Sequence, residues 1–394
     1  MDIETGLISK KRIVSIDMLR GLIMLIMAID HIRDMFLLGQ PDPTDLATTT
    51  SLLFFTRWIT HFCAPIFVFL SGISANLAGQ RRSKGALSAF LIKRGMSLVI
   101  IEFVLVSFAI TLDPLYHLLI FQVIWAIGAS MVILGLLVWL PLPVIGLIGL
   151  LIFFGHNIPD IVSVGPVTVK SFGWKLLVSS TGFQMIWPIS PGWNLLLVYA
   201  LLPWTGVMLL GYVAGSLYRK AADAAVRQTT LLQAGLLLLV LFFTLRALNL
   251  YGDPAPWSFQ KTSYLSIISF LNVTKYPCSL IYLCMTLFPA LLFLSCTEAL
   301  RNRFSAFLIV YGKVPLFYYL CHWYLIRLLT VINYTAGGVQ LSRLAGHPGP
   351  PPGYGYSLGA IYLIWIFVIT LLYFPCRWYG RYKSTHSDWW LSYL

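Results

Sequence analysis

Ten stretches of about 20 apolar residues, the length an α-helix needs to cross a bilayer core, recur along this 394-residue chain. They centre on 13–36, 58–78, 95–112, 118–140, 142–158, 193–218, 231–250, 276–297, 304–332 and 358–374. In hydrocarbon every backbone N–H and C=O must be satisfied internally, so such a pattern folds as a helical bundle. We expect an all-α, polytopic transmembrane bundle of about ten helices (nine to eleven), forming a single domain over 1–394. The 142–158 span joins its predecessor through Pro141-Leu142-Pro143, which predicts a tight helical hairpin. The 304–332 span holds Pro315, which predicts a kink or a break. Only 10% of the residues are Asp, Glu, Lys or Arg, against about 25% in a soluble domain. A water-soluble globule, a disordered chain and a nucleic-acid-binding module are thereby excluded. Cleavage as a secretory signal is not expected, because Arg20 interrupts the first apolar run and no small-residue site follows.

The net charge of +13 sorts by segment. With the N-terminus cytoplasmic, inner segments hold Lys10, Lys11, Arg12, Arg81, Arg82, Lys84, Lys93, Arg94, Arg219, Lys220, Arg227, Arg301, Arg303, Lys313, Arg377, Arg381 and Lys383. Outer segments hold Arg57, Lys170, Lys175, Lys261, Lys275 and Arg343. This is the positive-inside pattern for ten helices with both termini cytoplasmic. The surplus therefore reports orientation among membrane lipids and suggests no nucleic-acid partner. The six cysteines show no C-x-x-C spacing, and no P-loop, dinucleotide fingerprint or metal-ligand cluster occurs, so neither a disulfide scaffold nor a metal is expected.

Four basic residues are left inside spans: Arg20, Arg33, Arg246 and Arg327. Ionisable groups at membrane depth mark function by default. At 100° per residue, Asp17, Arg20, Met24, Met27, His31 and Asp34 share one arc of the first helix, with Asp30 just beside it. Arg20 and His31 stand about 16 Å apart along the axis. Asp30 or Asp34 could orient His31 and raise its basicity, as a general base requires; an Asp–Arg–His network that only ties helices together is the plainer alternative. In the second helix, Arg57, His61, Ala64, Val68, Ser71, Gly72 and Ala75 form a small and polar face suited to packing on the first. The polar, turn-rich loop 39–56, with Asp42 and Asp45, is suited to contacting an external ligand. His322 is a candidate to line the same outer cavity or else a satisfied core histidine, Lys275 is a candidate acceptor contact or an ordinary interface anchor, and His61 is either part of that site or an interfacial histidine. Glu102, a lone acid at membrane depth, needs a partner or a proton, and His117 reads as solvated. Asn272-Val273-Thr274 is a formal glycosylation sequon, and Gly211 with Gly215 is a lone G-x-x-x-G.

The run Arg12-Ile13-Val14-Ser15-Ile16-Asp17-Met18-Leu19-Arg20-Gly21, followed by Met27-Ala28-Ile29-Asp30-His31, resembles the opening signature of the heparan-alpha-glucosaminide N-acetyltransferase-like membrane family. Residues 57–72, from Arg57-Trp58 to Ser71-Gly72, are similar to its second signature. Asn272-Val273-Thr274-Lys275-Tyr276-Pro277 and Gly312-Lys313-Val314-Pro315-Leu316-Phe317 resemble its bacterial branch. The similarity is densest within 12–80 and sparser beyond.

The resemblance implies transfer of an acetyl or other acyl group from cytoplasmic acyl-coenzyme A to an amine or hydroxyl acceptor across the membrane, a sugar or envelope glycan among the choices. The lysosomal relatives use a luminal histidine in the loop after the first helix. Loop 39–56 contains none, which leaves His31 and His61 on its two sides as alternatives, with Asp30 and Asp34 as their carboxylates. Arg20, Arg81, Arg82, Lys93 and Arg94 are expected to meet the coenzyme's phosphates, and Arg57, Asp42, Asp45, Lys275 and His322 the acceptor. The expected location is the bacterial cytoplasmic membrane, and a homo-oligomer is compatible with it. The rival classes are a proton-coupled transporter, against which no inverted repeat is found, and an inactive membrane scaffold.

Overall fold

The structure, a computed structural model, describes residues 13–162, 171–178, 185–219, 223–344, 346, 349–386 and 388–392. Lys10, Lys11, Arg12, Lys170 and Lys220 of the charge pattern lie outside the described residues. Helices occupy each of the ten expected spans. In chain order they are α1 (Val14–Phe36), α2 (Ser51–Thr60), α3 (Cys63–Gly79), α4 (Lys84–Ile101), α5 (Ser107–Thr111), α6 (Val123–Leu137) and α7 (Leu142–Gly155). These are followed by α8 (Leu201–Ala214), α9 (Ala224–Leu248), α10 (Leu280–Cys296), α11 (Arg303–Gly312), α12 (Pro315–Ala336) and α13 (Leu358–Thr385).

Among the described residues, six helical stretches are long and apolar enough to cross a membrane: Ser51–Gly79, Leu142–Ile161, Leu201–Tyr218, Ala224–Leu248, Pro315–Ala336 and Leu358–Thr385. The other expected spans fall short for identifiable reasons. Helix α1 carries Asp17, Arg20, Asp30, Arg33 and Asp34, and α6 and α10 are only 15 and 17 residues long. Buried residues lie on all sides of α1, which packs on α2, α3, α10, α11, α12 and α13. A helix enclosed in this way keeps its charges inside the bundle and away from lipid. Helices α9 and α13, with leucine, valine and phenylalanine exposed along them, form the periphery.

The 304–332 span is broken, as Pro315 predicts. Helix α11 ends at Gly312, and Pro315, which lacks an N–H to leave unpaired, opens α12. At this break the backbones of α1 and α11 touch. A Cβ on Gly312 would lie 1.8 Å from the Asp17 carbonyl oxygen, and one on Gly21 1.9 Å from that of Leu308. The G-x-x-x-G pair is likewise a packing seam: a Cβ on Gly211 would meet the Phe69 oxygen of α3 at 2.2 Å.

Two expected spans begin as strands instead of helices. β1 (Leu118–Phe121), β2 (Ile186–Ser190) and β3 (Trp193–Leu197) form a small sheet in the order β1-β3-β2. β1 and β3 are parallel, with Leu118 opposite Asn194. Apolar periodicity cannot separate such a strand from the helix that follows it. Non-helical backbone is tolerated here because it pairs within protein. The sheet also brings Gln122-Val123 beside Val198-Tyr199, whose N–H groups both donate to the Phe121 carbonyl, at 3.2 and 3.1 Å.

The helix ends sort into two faces. At the basic end, Lys84 donates to the Trp139 carbonyl at 3.0 Å, Arg227 pairs with Glu298, and Arg20 reaches Gly312. At the far end Leu38 bonds Tyr356, and Asn272 Nδ2 donates to the Thr44 carbonyl at 2.9 Å. The sequon asparagine is thus a strut between two loops.

Candidate active site

One turn before its far end, α1 presents Met27, Asp30, His31 and Asp34 to a cavity of about 230 Å³. Arg57 and Thr60 enter from α2, Cys63, Ala64 and Phe67 from α3, and Trp323 from α12. Gln122, Val123, Val198 and Tyr199 close it from the strand ends, with Lys275 and Tyr276 beside them. The volume is below the ~300 Å³ of a typical small-molecule pocket, so it suits reacting ends rather than whole substrates.

The helix period explains the first relationship. Residues i and i+1 point apart on a helix, and Asp30 does not reach the His31 ring. Its carboxylate instead accepts from Arg33 at 2.7 Å, from the Thr60 hydroxyl at 3.0 Å and from Arg57. Asp34 pairs with Arg33 at 2.6 Å and is half-exposed. Of the two acids expected to orient the imidazole, Asp30 thus holds the α1–α2 junction and fixes Arg57, while Asp34 pairs within α1.

The partner of His31 is another histidine. His31 Nδ1 lies 2.7 Å from His322 Nε2, and His322 Nδ1 lies 3.2 Å from the Tyr318 carbonyl one turn back on α12. A carbonyl can only accept, so His322 Nδ1 carries the proton and its Nε2 presents a lone pair. His31 Nδ1 is then the donor, which leaves His31 Nε2 as a free base. Trp323 stacks on the His31 ring with centroids 4.0 Å apart and fixes its plane. His322 is fully buried, so this dyad is dry on one side and open to the cavity on the other.

His61 does not line the cavity. It sits at the α2–α3 bend with its ring edge-on to Tyr282 and its Nδ1 buried without a hydrogen-bond partner among the described residues. Lys275 does line it, buried, with its ammonium 5.1 Å above the Tyr276 ring and no carboxylate within 4 Å among the described residues.

Beyond the cavity lies a vestibule of about 440 Å³ that shares Asp34, Gln122 and Trp323 with it. Asp42 lines this vestibule, but its carboxylate is already engaged by the Thr44 backbone and hydroxyl. Asp45 is outside it, held in its own turn by Ala47 and Thr48.

Towards the basic end a second cavity of about 90 Å³ contains Arg20, Met24, Ser71, Arg94 and Tyr319. Phe67 and Val123 line both cavities. Arg20 bonds Asp17 at 3.0 Å, Ser74 at 2.9 Å and the Gly312 carbonyl at 3.2 Å. The expected cluster of cations therefore divides. Arg20 and Arg94 stand in line with His31; Arg81 and Arg82 line a separate cavity, and Lys93 is exposed outside both.

The other ionisable groups singled out in the sequence make structural contacts. Arg246 donates to the carbonyls of Ala255, Ser269, Phe270 and Asn272, tying α9 to the loop that carries Lys275. Arg327 bonds the Leu344 carbonyl, and Glu102 accepts the Trp125 N–H at 3.0 Å near the start of α6. His117 pairs with Asp113 at 2.8 Å. No group of three or more metal-ligating side chains is found among the described residues.

With this geometry in view, comparison with protein families is decisive. The model of the catalytic region of heparan-alpha-glucosaminide N-acetyltransferase matches residues 12–252, more than half of the chain. The chain belongs to that family. As a heparan-alpha-glucosaminide N-acetyltransferase family member it is a membrane acetyltransferase. The matched region includes His31 and the whole α1 face, the cavity residues of α2 and α3, and both strand ends. His322, Trp323 and Lys275 lie beyond it. No curated protein matches the chain. Sequence reasoning had no signal for Thr60, Gln122 or Tyr199 as cavity residues, since each looks like an ordinary residue at a span edge.

Proposed function

We propose that this protein moves an acetyl or other acyl group from acyl-coenzyme A, bound from the basic, cytoplasmic end, to an amine or hydroxyl acceptor entering from the far side. A sugar or envelope glycan fits the vestibule, and the setting is a bacterial cytoplasmic membrane. What supports this reading is the His31–His322 pair, because its hydrogen-bond direction leaves a free imidazole nitrogen on a residue that lines the cavity. His31 Nε2 takes the proton of the acceptor N–H or O–H as the acceptor attacks the thioester carbonyl. The buried Lys275 ammonium balances the negative charge that develops on the carbonyl oxygen. Collapse breaks the carbon–sulfur bond, and the thiolate leaves with the proton held by His31.

The donor needs cations for its phosphates and a narrow apolar route for its arm. Arg20 and Arg94 would hold the anionic part, and Met24, Met27 and Phe67 line the way towards His31. Coenzyme A supplies an activated acyl thioester when bound. Asp30 and Arg57 keep α1 and α2 in register around the base.

The test is coenzyme A release by purified protein with acetyl-coenzyme A and cell-envelope extract, followed by mass spectrometry of the product. Acceptor-dependent release in wild type, and none in His31→Ala with an unchanged melting temperature, is expected. Full release in that variant removes His31 from the mechanism. Substrate-driven proton flux in vesicles without thioester cleavage would favour a transporter instead.

A further inference from the structure

At the basic end a cavity of about 730 Å³ opens between the end of α3, the start of α4, the α6–α7 turn and the end of α8. It shares no lining residue with the Arg20 or His31 cavities. Its floor is closed by buried Leu87, Val138 and Tyr212.

Four cations and no acid line it: Arg81, Arg82, Lys84 and Arg219. Two of them are committed. Arg82 donates to the Ala78 carbonyl at 2.9 Å and covers the Phe90 ring, and Lys84 donates to the Trp139 carbonyl. Arg81 and Arg219 make no ion pair or side-chain hydrogen bond among the described residues, and neither does the amide of Asn76. Asn76 is only 4% exposed yet lines the cavity. Together these groups ask for an anion with several acceptor oxygens.

The wall says what carries that anion. Leu140, Leu142 and Ile145 of the α6–α7 hairpin form one side. The same hairpin turns Leu136, Leu147 and Leu151 outward, each more than half exposed, with Trp139 at its turn. In a membrane-spanning chain that outward surface faces acyl chains, and a tryptophan at a span end marks the headgroup level. We propose that this cavity binds the phosphate headgroup of an anionic phospholipid, held by Arg81, Arg219 and Asn76, with its acyl chains along the α6–α7 hairpin.

The test compares the full chain in nanodiscs of phosphatidylcholine with and without phosphatidylglycerol, reading melting temperature and lipid retained in native mass spectrometry. Wild type is expected to melt higher with phosphatidylglycerol and to retain it. The variant Arg81→Gln/Arg219→Gln loses both effects, whereas Lys93→Gln, which removes a cation outside the cavity, keeps them. The KM for acetyl-coenzyme A stays unchanged in the double variant. Persistence of both effects in the double variant, or an equal loss in Lys93→Gln, overturns the proposal. So does a severalfold rise in that KM, which would assign the cavity to the donor's phosphates.

Discussion

His31 and His322 are 291 positions apart in sequence, yet their ring nitrogens Nδ1 and Nε2 sit 2.7 Å apart. The direction of that bond is set by a third group, the Tyr318 carbonyl, and it leaves one nitrogen of the pair with a lone pair for chemistry. His31→Ala is expected to lower kcat by about 10²–10⁴-fold, the usual worth of a general base. Steady-state coenzyme A release alongside an unchanged melting curve checks this.

His322 is a positioning residue, and its variants should separate tautomer control from packing. His322→Leu should cut kcat by roughly 10²-fold with little change in either KM. His322→Gln, whose amide oxygen can accept from His31 Nδ1, should recover part of that loss. Equal losses in the two variants would mean that His322 only fills space.

Lys275→Met should lower kcat by about 10²-fold, as removal of one donor to a developing oxyanion does. Lys275→Arg should retain more activity than the methionine variant. An effect confined to the acceptor KM would instead make Lys275 a ground-state contact.

Gly312→Ala should be among the most damaging small substitutions. Its Cβ would meet backbone oxygen 1.8 Å away, which no rotamer change relieves. Overpacking of this sort costs about 1–3 kcal/mol or more. The melting temperature should fall, and because Arg20 bonds the Gly312 carbonyl, the acyl-coenzyme A KM should rise as well.

At the far end, Asp113 carries a pH-dependent contribution to the turn before β1. Burial raises its pKa, but the N–H groups of His117 and Leu115, with the His117 ring, outweigh that and hold it below the usual carboxylate range. A depressed carboxylate stabilises fully above its unfolded value of about 4. The contribution is lost as pH falls through the lower folded value. Amide exchange of the 112–117 turn should accelerate in that acid window, and Asp113→Asn should abolish the pH dependence.

Much of this was legible in the sequence because it is periodic. The spans follow apolar run length, the break follows Pro315, and the reactive face of α1 follows the helical repeat that puts Arg20, Met24, Met27 and His31 in one arc. That arc lines two successive cavities. What the pattern could not supply were pairings set by tertiary contact. Asp30 looks like a partner for His31 by proximity in sequence, but the turn of the helix aims it at Arg57. Arg81 and Arg82 look contiguous with Arg94, yet they sit in the turn before α4, whose path carries Arg94 to a different cavity. Strands β1 and β3 were hidden because apolar residues serve equally in both kinds of element.

Phe67 and Val123 line both inner cavities, so the two share an apolar wall. On the proposed route the acyl arm would slide past a benzyl ring and an isopropyl group, surfaces that offer water no hydrogen bond. A bound donor would then shield the thioester from hydrolysis with the same atoms that guide it.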